Sequence, residues 1–259
     1  MIGIFDSGVG GMTVARAMEQ FLPGYPILYL GDLARTPYGT KSADTIIEYS
    51  RNNAAFLIEH GATLIVIACN TASSVATEAL RREFSVPIFE VISPAVAEAA
   101  EASASGRIGV IGTSATVRSA MYEKLLHEAR PGCQVFQRAC PLLVPLVEEG
   151  WLNRQETKMI IRRYLHPLKN QQIDTLVLGC THYPLLAPLI QPRIGKKVRL
   201  IDSSLATAAF LRRTFSERSD LADGLKTGGK NRFFVTDRTE SVQKIAETIF
   251  HRPMELDLV

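Results

Sequence analysis

Two cysteines have the type and placement to do chemistry. Cys69 ends the apolar run Leu64–Ala68 and opens the turn Cys69-Asn70-Thr71, and Cys180 ends the run Thr175–Gly179 and opens Cys180-Thr181-His182. Each thiol therefore falls at the carboxyl end of a predicted strand, in a turn that leads into a predicted helix. Ligands of open α/β sheets bind outside that end of the strands. Unpaired N–H groups and the positive end of the helix dipole converge there and make a cradle for a carboxylate or phosphate. A thiol in this position is expected to have its thiolate stabilised, with a pKa below the free value of about 8.5. Two such thiols facing each other across a cleft suit one reaction: a proton leaves one face of a carbon and another is delivered to the opposite face.

Two further turns of the same kind are Asp6-Ser7-Gly8 and Gly112-Thr113-Ser114. They are not equivalent, because Gly112 stands where Asp6 does and Thr71 where His182 does. Each thiol thus gains its own auxiliary, Asp6 for Cys69 and His182 for Cys180. A carboxylate can accept a thiol proton, and an imidazole can hold one or orient the group. The plainer alternatives are a capping or turn role for Asp6 and an exposed turn position for His182. In the loop Pro37-Tyr38-Gly39-Thr40, Tyr38 can cover the site or offer its hydroxyl. Arg35 pairs either with a substrate carboxylate or with Asp32. Further along, Glu148 or Glu149 reaches the cleft, or the two form a solvated acidic pair at a helix start. Thr113, Thr116, Asn70, Thr71 and Thr181 are donors able to stabilise negative charge. Cys133 and Cys140 read as small apolar core residues. His60, His127, His166 and His251 fall in helices or at their ends and receive no role.

The elements that must position these residues alternate. Residues 2–5, 27–31, 63–68 and 86–91 are predicted strands, and 12–21, 42–60 and 72–84 carry apolar residues at helical spacing. Strand and helix in alternation imply a parallel sheet covered on both faces. The order then restarts. IGVIGTSAT at 108–116 echoes IGIFDSGVG at 2–10, and TLVLGCTHYPLL at 175–186 echoes LIVIACNTASSV at 64–75, with a cysteine in the same slot. Strands at 133–138 and 197–201 and helices near 117–130, 154–170 and 185–194 complete a second copy. This is an internal duplication of whole half-molecules. Ser93-Pro94 and the Ala/Ser/Gly stretch 99–106 are predicted to cross between the halves. The tail supplies a helix (205–215), a Gly-rich turn near 223–229, a strand (232–236) and a last helix (240–250), and is expected to pack back on the first half. The domains are accordingly 1–92 plus 205–259, a discontinuous unit, and 93–204. The fold class is α/β, with two pseudo-symmetric Rossmann-like domains.

Composition limits the remaining functions. Of 259 residues, 46% are hydrophobic and 21% charged, the balance of a globular chain with a real core. The formal net charge is only +3, and the basic residues are scattered, which gives no electrostatic case for nucleic acid or a membrane surface. No apolar run approaches the ~20 residues that span a bilayer. The N-terminal MIGIFDSGVGG lacks the basic region of a signal peptide. None of the four cysteines forms a C-x-x-C pair or has zinc-finger spacing to a His, so neither a metal site nor a disulfide framework is expected. Free thiols in the cytoplasm are the expectation. Gly8-Val9-Gly10-Gly11 has the spacing of neither a dinucleotide fingerprint nor a P-loop. Its glycines are expected to let the backbone approach a small ligand closely.

Taken together, Asp6-Ser7-Gly8-Val9-Gly10-Gly11, Pro37-Tyr38-Gly39, Ala68-Cys69-Asn70-Thr71-Ala72 and Gly179-Cys180-Thr181-His182-Tyr183-Pro184 resemble the glutamate racemase family, from the first strand to the last. The resemblance implies a cofactor-independent isomerase that interconverts L- and D-glutamate for peptidoglycan synthesis, with its active site between two domains. It implies Cys69 and Cys180 as the two catalytic bases, Cys69 acting on D-glutamate and Cys180 on L-glutamate. It implies a glutamate site lined by Asp6, Ser7, Tyr38, Gly39, Asn70, Thr71, Thr181 and His182, and Glu148 matches the glutamate of the family's P-L-V-E stretch. The chain is expected to begin at its first strand without an N-terminal extension, and the family's frequent homodimers leave that assembly open. Three other readings stand beside this one: a racemase of aspartate or a related amino acid, a non-catalytic phosphate- or dinucleotide-binding module, and a cysteine hydrolase using Cys180 and His182.

Overall fold

The computed structural model describes residues 1–225 and 227–259. Lys226, within the Gly-rich turn expected near 223–229, lies outside the described residues. The first half begins β1 (Ile2–Asp6), α1 (Met12–Phe21), β2 (Ile27–Gly31), α2 (Ala43–Glu59), β3 (Leu64–Ile67), α3 (Asn70–Glu83) and β4 (Ile88–Glu90). The second comprises α4 (Ile92–Ala102), β5 (Arg107–Gly112), α5 (Ser114–Arg118), α6 (Met121–Ala129), β6 (Gln134–Ala139), α7 (Leu143–Glu148), α8 (Gln155–Asn170), β7 (Thr175–Gly179), α9 (Ala187–Ile194) and β8 (Arg199–Asp202). The tail adds α10 (Ser203–Glu217), α11 (Ser219–Asp223), β9 (Arg232–Val235), α12 (Glu240–Phe250) and β10 (Asp257–Leu258).

Every residue of β1, β2, β3 and β7 is buried, as expected of parallel strands covered on both faces. The first sheet runs β10-β9-β2-β1-β3-β4 and the second β6-β5-β7-β8, with all pairings parallel. The order β2-β1-β3-β4 is therefore repeated as β6-β5-β7-β8, which is the duplication read from the sequence. In both sheets the strand order reverses at one place, between β1 and β3 and between β5 and β7. Such a switch point opens a crevice at the carboxyl ends of the strands. Asp6, Cys69, Gly112 and Cys180 lie at those ends.

Two apolar clusters flank each sheet. Met12, Met18, Tyr29 and Phe233 pack on one face of the first, and Phe5, Leu57, Ile65 and Leu80 on the other. Leu143, Ile161, Leu165 and Leu178 face Val110, Tyr122, Leu126 and Val177 across the second. α10 packs on both α1 and α4, and α12 on both α1 and α7, so the tail touches both halves. Among the described residues no helix is long and apolar enough to cross a membrane.

Two expectations are corrected and one is filled in: the predicted crossover at Ser93-Pro94 and 99–106 carries the chain from β4 to β5 largely through α4. Pro94 lies in the first turn, where its missing N–H is no loss, and the Glu90 carboxylate accepts the N–H groups of Ile92 and Ser93. The helix expected near 117–130 is broken into α5 and α6, with Ala120 in the left-handed region (φ 52°) between them. Glu148 and Glu149 sit at the end of α7, not at a helix start. The short β10, which adds an edge to the first sheet, carried no periodic signal in two residues.

Candidate active site

The crevices of the two sheets face each other, and Cys69 and Cys180 line one cavity between them. Cys69 caps α3: its sulfur accepts the N–H of Ala72 at 3.5 Å, and its thiol donates to Ser7 Oγ at 3.4 Å. The helix end does not win the electrostatics. Burial, helped by the nearby Asp6 carboxylate, pushes the Cys69 thiol up to about 12 against the pull of Ser7 and Ala72. The expected lowering is thus reversed, because loss of hydration outweighs a capping N–H.

Asp6 is completely buried at the end of β1. Its carboxylate accepts the N–H of Gly8 at 2.9 Å and, from the other half, the hydroxyl of Thr181 at 3.2 Å. Burial raises its pKa to about 6, although His182 and the donors from Gly8, Gly11 and Thr181 pull it down. The turn role and the position near Cys69 coexist.

His182 is buried, with Nδ1 3.9 Å from the Cys180 sulfur and Nε2 3.2 Å from Glu148 Oε1. The latter pair is close enough for charge attraction but out of line for a hydrogen bond. Burial opposes the imidazolium, yet Cys180 and Glu148 outweigh it and push His182 up to about 10. The auxiliary assigned to each thiol is therefore beside it, and Glu148, rather than Glu149, meets His182.

Hydroxyls close the seam between the halves. Thr71 Oγ1 lies 2.8 Å from Thr113 Oγ1 and 3.3 Å from Thr116 Oγ1, and the latter two are 3.0 Å apart. Thr113 caps α5 by accepting the N–H of Thr116 at 3.2 Å. Two glycines allow the close approach. A Cβ on Gly10 would stand 2.4 Å from His182 Nδ1 and 2.7 Å from Thr181 Oγ1, and one on Gly39 would stand 2.9 Å from Thr113 Cβ.

Of the residues singled out in the sequence, Ser7, Tyr38, Gly39, Cys69, Asn70, Thr71, Thr113, Cys180, Thr181 and His182 line the cavity, together with Thr36, Pro37 and Val144. Asp6, Glu148 and Thr116 stand behind this wall, and Thr116 Oγ1 is within hydrogen-bond reach of Thr71 and Thr113. Thr36 was missed, although it lies between Arg35 and the loop Pro37-Tyr38-Gly39-Thr40, both of which the sequence singles out. Tyr38 presents its ring but not its hydroxyl. That hydroxyl donates to Asp32 and accepts from Asn53 Nδ2 at 3.0 Å, and burial beside Asp32 holds its pKa well above the usual phenol value. Cys133 and Cys140 are buried, as a core role requires.

Arg35 resolves as a structural ion pair. Its Nε is 2.7 Å from Asp32 Oδ2, its Nη2 donates to Asn53 at 2.9 Å, and its guanidinium stacks on Tyr49 at 4.4 Å. Arg35→Ala is therefore expected to cost about 2–3 kcal/mol of stability, since buried Asp32 loses its counter-charge. KM should stay within about threefold of wild type, because no binding to substrate is removed. Urea unfolding and steady-state kinetics check this, and a rise in KM without loss of stability would place Arg35 on the substrate.

Among the described residues, no group of three or more His, Cys, Asp or Glu side chains is placed to hold a metal ion. Residues 11–211 match the Asp/Glu/hydantoin racemase family. A glutamate racemase of Aquifex aeolicus is 46% identical over 256 residues, covering 98% of this chain and 95% of its own. The crystal structure of a glutamate racemase isoform from Bacillus anthracis superposes with a TM-score of 0.94 at 38% identity, covering 100% of this chain and 97% of the other. That of a glutamate racemase from Francisella tularensis in complex with D-glutamate gives 0.90 at 34% identity, covering 100% and 96%.

Proposed function

The chain belongs to the Asp/Glu/hydantoin racemase family, among its glutamate racemases, and from that premise we propose a two-base interconversion of L- and D-glutamate by Cys180 and Cys69. The observation that carries this reading is a single cavity walled by one thiol from each half. The halves themselves are taken as residues 1–92 with 205–259, and 93–204.

In the L-to-D direction Cys180, as thiolate, takes the α-proton, and Cys69 gives its own proton to the opposite face. High protonation of Cys69 suits the donor, and the imidazolium of His182 balances charge at Cys180. For the reverse reaction Cys69 must first lose its proton, an uphill step for which Asp6, raised by burial to about 6, is the nearby acceptor, and His182 keeps Cys180 supplied. Between the two steps the α-carbon bears negative charge. The N–H groups at the start of α3, the Asn70 amide and the hydroxyls of Thr71, Thr113 and Thr181 are placed to stabilise it where water is excluded. Enantiomers are equal in free energy, so the reaction needs no energy input and, on this scheme, no cofactor.

The cavity holds only ≈30 Å³, room for about one or two waters. Glutamate is far larger, so entry requires the halves to part and the threonine seam to open. D-glutamate made here would supply peptidoglycan precursors in the cytoplasm, a compartment in keeping with four free thiols.

The test is incubation with each enantiomer of glutamate and of aspartate in deuterated water, following optical rotation and α-deuterium. Glutamate should exchange and racemise together, and faster exchange of aspartate would overturn the substrate. The pH profile of kcat/KM should be a bell, since Asp6 must be ionised and His182 protonated. Activity is expected to fall below about 6 as Asp6 takes up a proton, and above about 10 as His182 loses one. Glu148→Gln removes a neighbour that raises His182, so its basic limb should move to lower pH. A basic limb that stays put would detach Glu148 from His182.

A further inference from the structure

Tyr122 lies in the first turn of α6 with its side chain completely buried in the second half, far in sequence from either cysteine. Its ring fills the space beside the residue before Cys180: a Cβ on Gly179 would stand 3.1 Å from Tyr122 Cε2. Its hydroxyl crosses the seam and donates to Asn70 Oδ1 at 2.6 Å, and Asn70 is the residue after Cys69. One side chain therefore touches the turn of each thiol. The bond also fixes the amide's orientation, because with Oδ1 taken by Tyr122 the nitrogen must face the other way. One of the two N–H bonds of Asn70 Nδ2 points to Ser203 Oγ at a long 3.4 Å, and Asn70 lines the cavity.

We propose that Tyr122 is a positioning residue for racemisation, orienting the Asn70 amide so that its N–H faces the substrate while bracing the Cys180 turn against the Cys69 turn. This rests on the function proposed above. The hydroxyl acts through Asn70 and not on the substrate. An N–H held in place before negative charge develops stabilises the intermediate more than the bound amino acid. Its loss should accordingly appear in kcat rather than in KM.

The experiment is a double-mutant cycle with Tyr122→Phe and Asn70→Ala, read as kcat and KM for glutamate racemisation by circular dichroism. Tyr122→Phe keeps the ring and is expected to lower kcat about tenfold with KM within about twofold. In the Asn70→Ala background the same substitution should change kcat by less than about twofold, because the group it positions is gone. An equal loss in both backgrounds, a loss confined to KM, or no loss at all overturns the role. Should Tyr122→Phe fail to fold, 3-fluorotyrosine at position 122 keeps the hydroxyl and reports by fluorine resonance. That resonance should shift when glutamate saturates the protein, and an unmoved line overturns the proposal. If the wild-type protein racemises glutamate while the cycle is additive, only the role of Tyr122 fails. If the wild-type protein is inert on both enantiomers, the function fails and this role with it.

Discussion

Cys69→Ala and Cys180→Ala are each expected to lower kcat/KM by about 10³-fold or more, near the upper range for removing a positioned acid or base. The loss must be identical for L- and D-glutamate whichever thiol is removed. The equilibrium constant between enantiomers is one, which ties the two ratios together. The variants should differ in another readout. With Cys180 alone, L-glutamate can give up its α-proton and regain one on the same face, so slow deuterium uptake without inversion is expected from Cys69→Ala. Cys180→Ala should show the same with D-glutamate. Both side chains are small and buried in apolar clusters, and only the Cys69 sulfur caps a helix, so thermal stability should fall modestly and more for Cys69→Ala than for Cys180→Ala. Near-normal turnover by either variant would end the two-base scheme.

The second large effect involves no acid or base. Gly10→Ala would place a methyl 2.4 Å from His182 Nδ1 and 2.7 Å from Thr181 Oγ1, both across the seam. Neither neighbour is the free end of a long chain: the imidazole is wedged between Cys180 and Glu148, and the hydroxyl is bonded to Asp6. The halves must move apart to admit the methyl. A displacement near 1 Å at a reacting pair costs about 10²-fold, so kcat/KM should fall by roughly that factor or more. Each half keeps its own sheet and core, and far-UV circular dichroism should be unchanged. Activity within about twofold of wild type would mean that the seam is soft and that closure does not set the geometry.

Much of this was legible in the residues because parallel α/β folds place chemistry at predictable ends of predictable strands. The repeated apolar runs gave the two sheets, and the matching positions of Cys69 and Cys180 gave the facing turns. The unreadable parts depend on distances across the seam. Nothing in the spacing of Tyr38 says that its hydroxyl turns to Asp32, a choice made by the buried carboxylate with Arg35 and Asn53 around it. The pKa of Cys69 was misjudged because helix capping is visible in sequence and desolvation is not. Thr116 looked equivalent to its neighbours, although one helical turn places it behind Thr113. That the crossover at Ser93-Pro94 is helical depends on the Glu90 carboxylate taking the first N–H groups of α4, a contact that residue spacing does not reveal.

The tail has a consequence for how the protein is made. β9 pairs with β2, joining Arg232 to Leu28 and Val235 to Gly31. As the chain leaves the ribosome, β5 to β8 are all present once residue 202 has emerged, so the later-encoded sheet can close first. Meanwhile β2 waits with an open hydrogen-bonding edge, able to pair with a strand of a neighbouring nascent chain. Truncation before residue 232 should leave that edge unpaired and give aggregates seeded at β2.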